Sequence, residues 1–243
     1  MAGRVLVDGQ VTDKAGILID PDAPLDIRGD DMPFVSRGGV KLAHALKLFG
    51  INLQGRTVLD AGASTGGFTH CALENGARLV YAVDVGYGQL AWQLRSDSRV
   101  INMERTNVRH LTCEHLQHGL PDFCSVDLAF ISLSLVLPAL SQLLAEPGEM
   151  VMLVKPQFEA GRPLVGKGGV VRDAEVHGQV IKSVLEAVQA AGLQAYNLAW
   201  SPIRGPKGNI EFLLHAGRAA GETAFDVEQV VAEAHGHFSS SAH

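Results

Sequence analysis

The sequence predicts an α/β protein: a doubly wound, Rossmann-like sheet, mostly parallel with a final antiparallel strand, preceded by a short β-rich piece. Three observations carry that prediction. From residue 38 onward, strand-length apolar runs alternate with helix-period segments. Those runs are apolar throughout rather than alternately polar, as strands covered on both faces are. One run passes into a Gly-rich turn that opens a helix, the arrangement by which such sheets present a ligand edge.

In chain order, Val5-Leu6-Val7 precedes the tight-turn pair Asp8-Gly9, and Ile17-Leu18-Ile19 forms a second short apolar run. These read as strands and turns of a piece spanning 1–30, too small for its own core. Pro21, Asp22, Pro24, Asp30, Asp31 and Pro33 read as a linker. The domain expected over 31–220 starts with a helix carrying Leu42, Leu46 and Phe49, closed by Gly50. Strands are expected at Thr57–Asp60, Leu79–Asp84, Arg99–Met103, Phe123–Asp127, Met150–Lys155, Gln194–Ala199 and Asn209–His215. Helices are expected at 66–75, 87–95, 133–145 and 173–191. Only a Gly/Pro-rich loop separates the last two strands, so a hairpin should make the final strand antiparallel. The tail 221–243 carries one helical pattern and then an end, His235–His243, expected to be disordered.

Composition narrows the function. No apolar run approaches the ~20 residues of a membrane span, and Met1-Ala2-Gly3-Arg4 does not begin a signal peptide. Three cysteines in 243 residues make no disulfide framework, so a cytoplasmic setting is expected. A net charge of −6 argues against bulk coating of nucleic acid, although local basic footprints remain. They are Arg37, Lys41 and Lys47; Lys155, Arg162, Lys167 and Arg172; and Arg204 and Lys207. Cys113, His115 and Cys124 have poor metal-ligand spacing, and no metal is expected.

The chemistry concentrates at strand ends. Val58-Leu59-Asp60-Ala61-Gly62-Ala63-Ser64-Thr65-Gly66-Gly67-Phe68 is a strand, Gly-rich turn and helix start. It lacks the G-x-G-x-x-G and G-x-x-x-x-G-K-[ST] patterns, which weakens dinucleotide and nucleoside-triphosphate readings. Asp84 closes the next strand about 20 residues later, where a carboxylate can accept hydrogen bonds from a ribose diol. Asp60, Asp84, Asp127 and Lys155 all end apolar runs, and charges converging on one edge suggest a site, because lone buried charges are costly.

Taken together, Asp60-x-Gly62-x-x-Thr65-Gly66-Gly67-Phe68, Asp84-Val85-Gly86-Tyr87-Gly88, Asp127-Leu128-Ala129-Phe130-Ile131-Ser132-Leu133 and Val154-Lys155-Pro156-Gln157-Phe158-Glu159 resemble the TlyA/haemolysin A family of FtsJ-like ribosomal RNA 2′-O-methyltransferases. The resemblance implies a methyltransferase domain that binds S-adenosyl-L-methionine, acting on ribosomal RNA or ribosomal subunits, with cytidine as the family target. It implies a catalytic tetrad of Lys41, Asp127, Lys155 and Glu211. It also implies cofactor contacts from Asp60, Gly62, Thr65, Gly66, Gly67, Phe68, Asp84 and Val85, with Asn107 near the adenine. Gly3–Val11 resembles the closing half of the family's S4 RNA-binding module, so the N-terminal piece is expected to be a partial S4 module. A lysine at a ribose hydroxyl can stabilise the forming alkoxide, and could take its proton if burial lowered its own pKa. Three other readings compete: a nicotinamide-dependent oxidoreductase on the same sheet, a haemolysin-like membrane-active protein, and a catalytically silent RNA-binding module.

Overall fold

The computed structural model describes residues 5–12, 17–27, 32–219, 223 and 225–240. Gly3 and Arg4 of the S4 resemblance, Asp30 and Asp31 of the expected linker, and the last three residues lie outside that set. The chain divides into two compact units, Met1–Pro33 and Phe34–His243.

In the first unit, β1 (Val5–Val7) and β2 (Gln10–Val11) form an antiparallel hairpin. Asp8 and Gly9 both adopt positive φ, 52° and 75°, as the tight hairpin turn requires. The third strand is β3 (Leu25–Ile27), pairing with β1 inside the stretch that composition marks as a linker. Ile17–Ile19, expected as a strand, is irregular, and Leu18 is fully exposed. A three-residue apolar run has no face to bury without a partner, so it does not settle into a sheet.

The second unit begins with α1 (Gly38–Phe49), which buries Lys41, Leu42, Ala45 and Leu46 and ends at Gly50 in the left-handed conformation. Then follow β4 (Thr57–Ala61), α2 (Gly67–Glu74), β5 (Leu79–Val83), α3 (Trp92–Arg95), β6 (Val100–Met103), β7 (Phe123–Val126), α4 (Leu137–Leu143) and β8 (Glu149–Val154). The remaining elements are α5 (Pro156–Glu159), α6 (Ala174–Ala190), β9 (Gln194–Trp200), β10 (Phe212–Gly217) and α7 (Val227–Ser240).

The sheet order is β6-β5-β4-β7-β8-β10-β9. Strands β4 to β8 pair in parallel, whereas β10 lies antiparallel between β8 and β9. Successive residues alternate between two cores, as a period of two demands. Leu59, Tyr81, Met150, Met152, Phe212 and Leu214 face one core; Val58, Val80, Val151, Leu153 and Leu213 face the other. Both faces are therefore covered, which explains the uninterrupted apolar runs.

Two expectations need correction. The helix expected over 87–95 is only α3, because Val85, Tyr87 and Trp92 are exposed and the stretch between lacks an apolar face. The end expected to be disordered from His235 is instead helical to Ser240. There α7 buries Ala234 and Phe238, and His235 Nε2 lies 2.9 Å from Nδ1 of the buried His177 in α6.

Candidate active site

The strand order reverses between β4 and β7, whose carboxyl ends open on a crevice where doubly wound sheets take ligands. Gly62 and Asp127 follow those two strands and touch. The Asp127 amide donates to Ala61 O at 2.9 Å, and a Cβ on Gly62 (φ +90°) would sit 2.4 Å from Asp127 O. Only glycine fits there. Above this contact is a cavity of about 440 Å³ lined by Gly62, Ser64, Asp84, Val85, Gln89, Asn107 and the 127–131 segment, among others. That size suits a nucleoside-sized ligand.

Asp84 is held in a fixed pose on the cavity wall. Its Oδ2 accepts from the Ser64 amide at 2.8 Å and its Oδ1 from the Gly86 amide at 2.6 Å. A carboxylate offers about four lone-pair sites, so two remain for a diol. Asn107 both lines the cavity and caps a turn, its Oδ1 accepting from the Arg109 amide at 3.1 Å. Opposite, Phe130 holds a positive φ of 64° and a 91% exposed ring, 5.0 Å from Phe158. Such a backbone is costly for an aromatic residue, and strain of this kind collects at ligand sites. Nothing in the sequence singles out Phe130, because backbone angles are not written in composition.

Asp60, Thr65, Gly66, Gly67 and Phe68, also expected to contact the cofactor, are not among the residues that line this cavity. Asp60 is fully buried; it accepts from Thr69 Oγ1 at 2.7 Å and Ser125 Oγ at 3.1 Å. Burial pushes its carboxyl up to about 7, against the pull of those two hydrogen bonds, with Asp127 adding repulsion. A Cβ on Gly66 would strike Leu94 and Leu90, and one on Gly67 would strike Ser36 and the backbone of Gly39. These glycines let α3 and α1 pack closely on the turn. Phe68 is core, at 3% exposure, and Thr65 is exposed, its carbonyl accepting from the Ala91 amide. From sequence, a glycine that admits a helix reads the same as one that admits a ligand.

The four residues of the expected tetrad form two ion pairs. Lys155 Nζ meets Asp127 Oδ1 at 2.5 Å, and Lys41 Nζ meets Glu211 Oε2 at 2.5 Å. Topology explains the pairing. Asp127 follows the last rung of the β7–β8 ladder, Val126 against Met152, and Lys155 is the first residue after β8, while Phe212 opposes Val154, so Glu211 continues that register toward Lys155. Gln157, which the sequence shows but does not single out, donates Nε2 to Glu211 Oε1 at 3.2 Å. Lys41 and Glu211 are almost sealed, with side chains 8% and 1% exposed; Lys155 and Asp127 are more open, at 13% and 21%. The open pair borders the cavity through Asp127. Glu159 closes the edge by accepting from Ser132 Oγ and the Leu133 amide, while burial raises its pKa. Among the described residues no group of three His, Cys, Asp or Glu side chains is placed to hold a metal.

Comparison with known proteins sets this architecture among the methyltransferases. The chain belongs to the FtsJ-like methyltransferase family, whose pattern it matches over residues 34–218. Its relatives place it in the TlyA/haemolysin branch. It is 46% identical over 214 residues to the 16S/23S rRNA (cytidine-2′-O)-methyltransferase TlyA of Mycobacterium tuberculosis, covering 88% of this chain and 80% of that protein. It is 52% identical over 215 residues to YqxC of Bacillus subtilis, a candidate rRNA methyltransferase, covering 88% and 76%. A solved structure of a candidate hemolysin from Streptococcus thermophilus superimposes with a TM-score of 0.86 at 44% identity, covering 99% of this chain and 89% of that one. Among the described residues no helix is long and apolar enough to cross a membrane.

Proposed function

We propose that this protein transfers the methyl group of S-adenosyl-L-methionine to a ribose 2′-hydroxyl of ribosomal RNA, with cytidine as the target base. The observation that carries the reading is the pair of lysine–carboxylate contacts, Lys155–Asp127 and Lys41–Glu211, at the strand edge that holds the 440 Å³ cavity. The rRNA and cytidine assignments rest on the TlyA relative. A cytoplasmic location accords with an rRNA substrate and three free cysteines.

Bound S-adenosyl-L-methionine would supply a sulfonium already activated as a methyl donor. The chain's part is to bind, orient and stabilise one developing charge. Gly62 admits the ligand backbone-close, Asp84 takes the ribose diol, and Val85 and Asn107 flank the base end of the cavity. Lys155 meets the target hydroxyl, and its ammonium, held by Asp127, stabilises the charge that builds on that oxygen as the proton leaves to solvent. Asp127 aims Lys155 through their ion pair. Lys41, Glu211 and Gln157 form the buried support that holds the substrate ribose in line. Asp60, Gly66, Gly67 and Phe68 act beneath the site, shaping the turn.

The test is methyl transfer from labelled S-adenosyl-L-methionine to ribosomal RNA, followed by mapping of 2′-O-methyl marks. Label appearing at cytidine ribose supports the reading; label on a base, or none with a folded, cofactor-binding protein, rejects it.

A further inference from the structure

A second cavity, of about 240 Å³, opens between the 170–172 stretch, the 204–210 loop and the end of α7. Its charged lining is Arg172, Arg204 and Lys207, all exposed, with His235 tied back to His177. None of the three cations makes an ion pair with a described carboxylate. In a chain of net charge −6, this hollow gathers three cations that make no ion pair with a described carboxylate.

The hollow is also fixed in place. Asn209 is buried at 2% exposure and clamps the two loops together. Its Oδ1 accepts from the Val171 amide at 3.0 Å and its Nδ2 donates to Gly169 O at 2.8 Å. A Cβ on Gly169 would meet the Lys207 ammonium at 3.4 Å, so the glycine lets that cation lie flat on the loop. On the far side, Arg37 Nη2 donates to Arg204 O at 3.1 Å. Two residues past Asn209 stands Glu211, the partner of Lys41. Two of the cations, the clamp and one tetrad residue, Arg204, Lys207, Asn209 and Glu211, thus lie on one short segment.

We infer that Arg172, Arg204 and Lys207 form a phosphate-binding subsite for the RNA backbone next to the target ribose. This rests on the RNA methyltransferase reading and adds where the substrate strand runs. An open polar hollow below about 300 Å³ is small for a ligand with a base to bury. Cations free of carboxylates suit a phosphodiester, and such contacts fix register without reading sequence.

The experiment uses the full chain with Arg172→Gln and Lys207→Gln combined; Arg204 is left intact because its Nη2 donates to Phe238 O and supports α7. A control with Arg99→Gln and Lys182→Gln removes the same charge from ion pairs elsewhere. Binding to purified ribosomal RNA is titrated across salt concentrations, S-adenosyl-L-methionine binding is measured separately, and single-turnover methylation is run at saturating RNA. The subsite variant should bind RNA about tenfold more weakly, with a salt slope shallower by about 1.4, from ~0.7 per lost contact. Cofactor affinity and the saturated rate should match the parent, and the control should keep the parental slope. Equal affinity and slope in parent and folded subsite variant overturn the inference while leaving the functional reading intact. A parent that binds RNA without methylating it overturns the functional reading, and the same titration still decides the subsite. A parent that binds no RNA overturns both.

Discussion

The two edges of the sheet carry similar chemistry and use it differently. At the amino edge, Glu149 opens β8 and is held by Arg56 from the start of β4 and by His215 Nε2 at 2.7 Å. Asp122 stands alongside, and a cavity of about 760 Å³ lies over them, larger than the one at the carboxyl edge. Yet Glu149 is held by partners across two strand boundaries, a brace between β4, β8 and β10, while Asp122 makes no ion pair with a described residue and burial raises its pKa. At the carboxyl edge the cavity is smaller, but the backbone around it takes left-handed turns at Gly62, Ser64 and Phe130, and lysines are aimed by carboxylates. Cavity size and charge do not by themselves mark a site. What distinguishes the carboxyl edge is strand polarity, which lets loops from several strands reach one point. The comparison therefore predicts that carboxyl-edge changes cost activity and amino-edge changes cost stability.

The largest effect is expected at Lys155. Lys155→Ala should slow single-turnover methyl transfer by on the order of a thousandfold, about 4 kcal/mol of transition-state stabilisation, with cofactor affinity nearly unchanged. Lys155→Arg should rescue poorly, because a guanidinium has a different shape. Asp127→Ala should behave like Lys155→Ala, and the double variant little worse than either, since groups acting as a unit are not additive. Parental rates from a folded Lys155→Ala protein would remove the chemical distinction between the edges.

Asp60 tests the boundary between the two roles, being a buried charge at the active edge that touches no cavity. Its folded pKa of about 7 lies above the ordinary 3.8, so between those values the folded state holds a proton that the unfolded state has released. That stabilisation is full below about pH 4 and disappears as pH rises through 7, by about 4–5 kcal/mol at ~1.4 kcal/mol per unit. Asp60→Asn, which mimics the protonated form, should gain on the parent as pH rises from 5 to 8 in denaturant unfolding. A constant difference across that range would show that the carboxyl titrates normally.

How far the sequence could be read follows the same divide. Strands buried on both faces advertise themselves as apolar runs, so β4 through β10 were legible to within a few residues. The tetrad was legible through motif resemblance together with the position of Asp127 and Lys155 at strand ends. That Lys41 pairs with Glu211 across 170 positions is set by α1 packing and by the register of β10 on β8, neither of which local pattern encodes. Within the Gly-rich turn, Gly62 lines the cavity whereas Gly66 and Gly67 make room for helices, a division the sequence pattern does not show. Phe130 and Gln157 were missed for the converse reason, since their placement depends on a left-handed backbone and on a partner 54 residues away.

A moderate effect is expected at Asp84. With both oxygens oriented by backbone amides, Asp84→Ala should weaken S-adenosyl-L-methionine binding by about 30-fold, roughly 2 kcal/mol for lost hydrogen bonds to a charged group. Because Ser64 and Gly86 lose their shared acceptor, Asp84→Asn is the sharper variant: it keeps the size and one acceptor oxygen, and should fall between parent and Ala. Calorimetry that finds all three equal would move the diol contact elsewhere on the cavity wall.

The smallest effect, and the one that decides whether the amino edge is only a brace, is expected at Glu149. Burial pushes its carboxyl up, but the hydrogen bonds from His215 and Arg56, reinforced by their charge, outweigh that and leave it below the ordinary 4.5. A depressed carboxylate contributes stability above its unfolded pKa and loses it as pH falls through the folded value. At pH 7, Glu149→Gln should therefore cost about 1 kcal/mol, since the amide still offers one acceptor oxygen to two donors. The gap between variant and parent should hold from pH 7 down to about 5 and narrow below 4.5, the reverse of the Asp60 trend. Methyl transfer at 25 °C should be unchanged, because Glu149 sits at the opposite end of β8 from Lys155 and the rigid strand between them keeps its ladder. Unfolding curves and single-turnover rates on the same preparations make the separation direct. A Glu149→Gln protein that is folded yet methylates tenfold more slowly would mean that the amino edge reaches the chemistry, and the contrast between the two edges would fail.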